Sequence, residues 1–302
     1  MPTPRPAYTS RSGRAYHGDA REVLKQIPSC SVSLVCTSPP FPLQRAKAYG
    51  NVTADAYIDW LMPIAEEVQR ILRPEGSFVM ELGGGWNPGN GTRCLMNYAL
   101  ILRLGSLFHL AQEYYWTNTR ALPAPAEWVC KERVRCKESV TPIYWFSKSV
   151  HPYADNRAVV TPYARPIGSF RPGPHPSGHN LTAETWQTDN GGAIPPNFFA
   201  VPGVSSDDYV RRCRAAELVV HPARQPAEIP DFFVRMLTRP NQLVLDPFAG
   251  SNTTGRVAED LGRRWVSIEI LEEYVAASRL RFGLPADSSS RVTLSRTVSH
   301  KE

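Results

Sequence analysis

A chain of 302 residues, 42% of them hydrophobic, can bury a substantial core, either as one large domain or as a core with a smaller attachment. Lysine plus arginine exceed aspartate plus glutamate by 34 to 28, and the resulting charge of +6 suits a polyanionic partner without requiring one. Arg103 interrupts the apolar run from Ala99 to Leu110, Met1-Pro2-Thr3-Pro4-Arg5-Pro6 has no apolar segment, and Cys30, Cys36, Cys94, Cys130, Cys136 and Cys213 form no Cys-x-x-Cys, so the expectation is a cytoplasmic protein with reduced thiols, no membrane span, no secretory leader, no disulfide framework and no metal.

Taken in chain order, His17-Gly18-Asp19 comes first, and Asp19 reads equally well as a turn or helix cap and as a carboxylate offered to a ligand. Val32 to Cys36 is a short apolar run that predicts a buried strand, and it delivers Thr37-Ser38-Pro39-Pro40-Phe41. Ala56 to Leu72 carries Ile58, Leu61, Ile64, Ala65, Val68 and Leu72 at helical spacing and stops before Pro74-Glu75-Gly76. Ser77 to Glu81 predicts a second buried strand, followed by Gly83-Gly84-Gly85. The aromatic runs Glu113 to Trp116 and Pro142 to Phe146 predict later strands, an antiparallel pair at the sheet edge.

From His151 to Pro202 there are nine prolines and almost no periodicity, which excludes sheet core. Its aromatics (Tyr153, Tyr163, Phe170, Trp186, Phe198, Phe199) favour an ordered, substrate-reading insert over disorder. Strands return at Leu243 to Asp246 and Trp265 to Glu269, with a helix over Thr253 to Leu261 between them. Strands alternating with helices predict a parallel α/β sheet. The tail from Pro285, with Ser288-Ser289-Ser290, reads as mobile.

Two segments carry chemistry. The strand ending at Asp246 runs into Pro247-Phe248-Ala249-Gly250-Ser251-Asn252-Thr253-Thr254 and a helix, the strand-loop-helix unit that holds nucleotides at a strand's carboxyl end. Gly250 and Ser251 let backbone amides approach a ligand, and Thr253 or Thr254 is a candidate helix cap. Glu269 follows Asp246 by 23 residues, near the spacing at which an acid reaches ribose hydroxyls. No Gly-Lys-Ser/Thr follows, so phosphate need not be the ligand; a molecule with ribose, adenine and a sulfonium cation would welcome these acids.

The other segment is Ser38-Pro39-Pro40-Phe41. The exocyclic amine of cytosine is a poor nucleophile because its lone pair is delocalised into the ring. Ser38 Oγ and the Pro39 carbonyl could accept its two N–H bonds, the two prolines fix that carbonyl's direction, and Phe41 offers a face for stacking on a base extruded from a duplex.

From Tyr16 to about Phe282 the chain resembles the beta class of DNA amino-methyltransferases, and closely the PvuII-type cytosine-N4 enzymes. It shares their order, with catalytic half, target-recognition region and then cofactor loop, and their segment His221-Pro222-Ala223-Arg224. The resemblance implies a Rossmann-like S-adenosylmethionine-dependent methyltransferase sheet with circularly permuted motifs and an irregular target-recognition insert. It further implies that Asp246, Phe248, Gly250, Ser251, Thr253 and Glu269 surround S-adenosylmethionine, with Pro247, Asn252, His221 and Pro222 beside them, and that Ser38 to Phe41 holds a flipped base; Asp19 stands as a third candidate acid, for the adenine amine. Glu81 stands where a close relative has Asp; it relays a proton from Ser38, orients the amine, or only ends a strand. Asn252 replaces a frequent Gly, tolerable because Asn accepts left-handed backbone, and Gln225 replaces a frequent aromatic.

The divisions expected are 1–150 for the catalytic half, 151–216 for target recognition, 217–284 for the cofactor half and 285–302 for the tail. Duplex DNA is the expected partner, with or without a cognate restriction endonuclease. Candidate base or phosphate readers are Arg157, Arg165, Arg171, His175, His179 and Arg211. Ser-Pro-Pro-Phe is typical of cytosine-N4 enzymes, whereas adenine-N6 enzymes usually carry Asp-Pro-Pro-Tyr. Adenine N6 is therefore the runner-up, ahead of a non-catalytic DNA-binding protein of the same fold and of an RNA or protein amine substrate.

Overall fold

The computed structural model describes residues 5–41, 53–87, 89–164, 166, 173–174, 180–181, 188–203 and 207–286. Eleven strands among them are β1 (Tyr8–Thr9), β2 (Gly13–His17), β3 (Val32–Thr37), β4 (Leu72–Glu81), β5 (His109–Asn118), β6 (Val140–Ser147), β7 (Gly173–Pro174), β8 (Asn180–Leu181), β9 (Phe198–Val201), β10 (Leu243–Asp246) and β11 (Arg264–Glu269). Nine form one sheet in the order β1-β2-β11-β10-β3-β4-β6-β5-β9, while β7 and β8 pair separately. From β2 to β4 the strands are all parallel. This is the Rossmann-like sheet expected, and β3 precedes β10 in the chain, as a permuted motif order requires.

Side-chain alternation divides the strands between two cores. Val35, Phe78, Met80 and Leu245 meet Tyr57, Leu61, Ile64 and Val68 of the helix Ala54–Ile71 on one face. Leu34, Cys36, Val79 and Val244 meet Phe233, Val234 and Leu237 of the helix Glu228–Leu237 and Val257 of the helix Thr253–Asp260 on the other. The helix expected to run to Leu72 stops at Ile71, because Leu72 already begins the long strand β4.

Two placements differ from expectation. The antiparallel pair β5–β6 is not the sheet edge, because β9, drawn from the proline-rich region, adds in parallel beyond β5. Apolar burial drives this, with the Phe199 ring packed on Tyr114, Phe232 and Phe233 at centroid distances of 6.0, 5.1 and 6.0 Å. Meanwhile β1 and β2, from the stretch assigned to the catalytic half, lie on the cofactor side beside β11.

That amino-terminal addition has a steric signature. A Cβ built on Gly13 would stand 2.1 Å from a ring carbon of Trp265, a buried side chain stacked on Phe282 at 4.7 Å. Gly13→Ala is therefore an overpacking mutation costing about 1–3 kcal/mol, a fall of roughly 5 °C in Tm for a protein of this size. Scanning calorimetry checks it, and an unchanged midpoint would show that β2 need not sit so close to β11.

Candidate active site

Parallel strands put all their carboxyl ends on one rim. Across the sheet that rim carries Asp19 just after β2, Glu269 ending β11, Asp246 ending β10, Ser38 just after β3 and Glu81 ending β4. At about 4.8 Å per strand, the five span roughly 20 Å. The chain leaves β10 for β11 on one side and β3 for β4 on the other, so the crevice at β10/β3 is the switch point where α/β sheets bind ligands. Thr37 Oγ1 donates to Asp246 Oδ1 at 2.6 Å across it.

One cavity of about 730 Å³ opens there, within the usual size of a small-molecule site. It is lined by Asp19, Ser38, Pro39, Pro40, Phe41, Glu81, His221, Pro222, Asp246, Pro247, Phe248, Gly250, Ser251, Thr253 and Glu269. Residues read as two motifs more than 200 positions apart thus share one wall.

On the cofactor side, Glu269 is fixed at both oxygens, Oε2 accepting the Gly250 N–H at 2.8 Å and Oε1 the Leu271 N–H at 2.9 Å. Burial raises its carboxyl above the ordinary range. Burial likewise pushes Asp246 up to about 6, against hydrogen bonds from Thr37 and the Phe248 N–H that favour its ionised form. Two destabilised acids lower their energy when a hydroxyl donor or a cation joins them.

The backbone between them is shaped for close approach. Gly250 has φ +49°, and a Cβ there would come within 2.9 Å of His221 Nε2, whose ring stands edge-on to Tyr274 at 4.5 Å. Arg281 donates to the Ser251 carbonyl at 2.6 Å and to its Oγ at 3.0 Å, bracing the loop from behind. Asp19 caps the helix Ala20–Val23 by accepting the Arg21 N–H, and the Arg21 guanidinium holds its carboxyl below the usual range, so the cap role is satisfied while the residue still borders the cavity.

Asn252 is the correction on this side. It does not line the cavity and is 1% exposed. In left-handed backbone (φ 57°, ψ 43°), as its tolerance allowed, it caps the helix itself by accepting the Gly255 N–H. Its amide nitrogen donates to Tyr8 Oη and Ser267 Oγ, both at 2.9 Å. Neither Thr253 nor Thr254 is the cap, and Asn252 shapes the loop from beneath.

On the catalytic side, Ser38 is half-buried, and its Oγ has no hydrogen-bond partner among the described residues. Phe41 settles against the backbone at Gly83, where a Cβ would come within 2.7 Å of its ring; that is the use of a glycine directly after the β4 rim. Glu81 is buried, which pushes its carboxyl up to about 7, and Gln225 Nε2 donates to its Oε2. The two departures noted in the sequence, Glu81 and Gln225, are therefore partners.

Several lining residues escaped the sequence reading. Trp60 stacks obliquely on Phe248 at 5.6 Å and on Tyr57 at 5.5 Å, giving the cavity an aromatic side. The Tyr57 hydroxyl is buried without a hydrogen-bond partner among the described residues. Both lie on a helix whose apolar spacing signalled only core. Trp116 and Asn118 come from the end of β5, Thr141 from the start of β6 and Arg120 from the connection between them.

Of the proposed readers, Arg165, Arg171, His175 and His179, with the aromatics Phe170 and Trp186, lie outside the described residues, as do 287–302 of the tail. Arg157 is exposed and paired with Asp155, whose N–H bonds Met236 O beside the Tyr153–Glu75 contact at the amino end of β4, away from the rim. Arg211 pairs with Asp208. No helix among the described residues is long and apolar enough to cross a membrane.

Known proteins give the same picture. Residues 32–279 match the family described as DNA methylase. The type II methyltransferase M.PvuII of Proteus hauseri is 43% identical over 92% of this chain and 86% of its own length. The solved PvuII DNA methyltransferase, cytosine-N4-specific, superposes with a TM-score of 0.76 and 40% identity, covering 92% of this chain and 89% of that one. A Thermus thermophilus protein solved with S-adenosyl-L-methionine shares the fold at a TM-score of 0.57 and 24% identity, over 89% of this chain and 92% of that one.

Proposed function

This chain belongs to the DNA methylase family, and from that premise we propose that its cavity methylates N4 of a cytosine flipped out of duplex DNA, with S-adenosylmethionine as methyl donor. The observation that carries the reading is the seam at β10/β3, where Ser38-Pro39-Pro40-Phe41 and the loop after Asp246 line one cavity with Thr37 bonded to Asp246 between them.

The residues present fit the donor. Glu269, its orientation fixed by two backbone N–H groups, keeps lone pairs for ribose hydroxyls, and Gly250 leaves the room that a side chain would fill. The raised acids Asp246 and Glu269 favour a cationic ligand, and Trp60 and Phe248 offer faces to a flat ring. When bound, S-adenosylmethionine supplies a methyl group on a positively charged sulfur.

The chain does the rest. Ser38 Oγ and the Pro39 carbonyl accept the amine N–H bonds and draw nitrogen toward tetrahedral geometry, while Phe41 stacks on the extruded ring. Glu81, poised near 7, accepts the proton that the amine releases. Gln225 holds that carboxylate in place. Residues 1–150 carry the catalytic half, 217–284 most of the cofactor half, and 151–216 contribute to target recognition.

Expression in a methylation-free host, followed by mapping of modified bases by long-read sequencing, tests the reading directly. N4-methylcytosine at one fixed sequence is expected. N6-methyladenine would transfer the reading to the runner-up base, and unmodified DNA would leave a binding protein. An endonuclease that cuts at the mapped site makes the chain the modifying half of a restriction pair; without one it acts as an orphan.

Glu269→Ala should weaken S-adenosylmethionine affinity about 10- to 100-fold, since it removes a charged acceptor from hydroxyls, at about 1.5–3 kcal/mol. Isothermal calorimetry reads the change, and equal affinities would refute the ribose role.

A further inference from the structure

We propose that the β5–β6 connection, residues 119–139, is a DNA-clamping arm whose cations grip the phosphates flanking the extruded base. The proposal rests on the cavity's being a DNA methyltransferase site.

Topology places the arm. β5 ends at Asn118 and β6 begins at Val140, with Thr117 opposite Val140 and Ile143 opposite Glu81. The connection therefore leaves the sheet at the rim that carries Glu81 and Ser38. Trp116, Asn118, Arg120 and Thr141, at its two roots, line the cavity itself.

Charge gives it a partner. Residues 119–139 hold five cations, Arg120, Lys131, Arg133, Arg135 and Lys137, against three carboxylates. Glu127 pairs with Lys131, and Glu138 pairs with Arg93 of the neighbouring loop, leaving Glu132 as the one unpaired acid of the arm among the described residues. Arg120, Arg133, Arg135 and Lys137 are exposed, and among the described residues none has a carboxylate partner. Among the described residues Arg135 reaches only the Val134 and Gly91 carbonyls, and Lys137 only that of Ala121, contacts that leave charge uncompensated. By contrast Arg157 and Arg211 of the insert are both ion-paired. Exposed like charges on one short loop repel each other unless a polyanion lies across them. At the mouth of a cavity that receives a nucleotide, that polyanion is the duplex backbone, and Arg120 stands where the strand turns inward.

The test uses the full chain and an unmodified 30-base-pair duplex of arbitrary sequence, with affinity read by fluorescence anisotropy between 50 and 200 mM salt. Each phosphate contact removed lowers the slope of log Kd against log salt by about 0.9, so Arg133→Ala/Arg135→Ala/Lys137→Ala should lower it by about two to three and weaken binding roughly 10- to 100-fold. Arg133→Lys/Arg135→Lys should keep the slope, and calorimetric S-adenosylmethionine affinity should be unchanged in both. A triple variant whose slope and affinity equal those of a DNA-binding wild type overturns the arm alone. A wild type that neither binds nor methylates DNA overturns the methyltransferase reading as well.

Discussion

Ser38→Ala lowers the rate of methyl transfer about 10²- to 10³-fold and leaves S-adenosylmethionine affinity within a factor of about two. The asymmetry follows from position. Ser38 lines the cavity on the β3 side, and its Oγ has no partner among the described residues, so removing it leaves the loop's internal bonds intact. The acids proposed to hold the donor, Asp246 and Glu269, lie on β10 and β11. What is lost is an acceptor that pulls the amine's N–H out of conjugation with the ring, an interaction that strengthens as nitrogen becomes tetrahedral. Single-turnover transfer from labelled cofactor, set beside calorimetry, separates the two quantities. A rate within a few-fold of the parent would remove Ser38 from the mechanism.

Glu81→Gln should have a comparable effect, about 10²- to 10⁴-fold on the rate, and a second signature in pH. Burial pushes the Glu81 carboxyl up to about 7, and the Gln225 N–H bond, which favours the ionised form, holds it from rising further. The buried Cys36 thiol on β3 senses both Glu81 and Asp246, and burial keeps it neutral. An ionised Glu81 takes the proton, so the single-turnover rate rises with pH, bends near 7 and is flat above it. Below the bend it falls tenfold per pH unit. The glutamine variant cannot ionise and should show no bend there. Gln225→Leu should move the bend upward, because the carboxylate loses its donor. A bend that persists in Glu81→Gln near 6 would point instead to Asp246, which burial pushes up to about that value.

The central sheet was legible because its strands contain short, largely apolar runs ending in an acid or in Ser-Pro-Pro, and such runs survive whatever packs around them. The rim residues followed once a common strand direction was granted. What stayed hidden depended on contacts between distant positions. Gln225 reads as a substitution of an aromatic, and only the fold makes it the partner of Glu81. Asn252 reads as a stand-in for glycine, whereas its amide ties the loop to Tyr8 and Ser267, a network no local pattern announces. Trp60 keeps helical spacing with core residues and so hides a face that borders the cavity. Arg157 drew notice by lying in an irregular, basic stretch, yet that stretch returns to the opposite end of β4.

The hydrogen bond between Thr37 and Asp246 joins positions 209 residues apart, and it marks a seam in the middle of the sheet that becomes available only late in synthesis. At about 5–20 residues per second, β10 leaves the ribosome roughly 10 to 40 s after β3. Throughout that interval β3, all of whose residues are buried in the finished protein, has β4 on one flank and an open row of backbone donors and acceptors on the other. A permuted methyltransferase thus emerges catalytic half first and must keep a sticky central edge from finding another chain, so its yield in cells depends on protecting that edge as much as on the stability of the final fold.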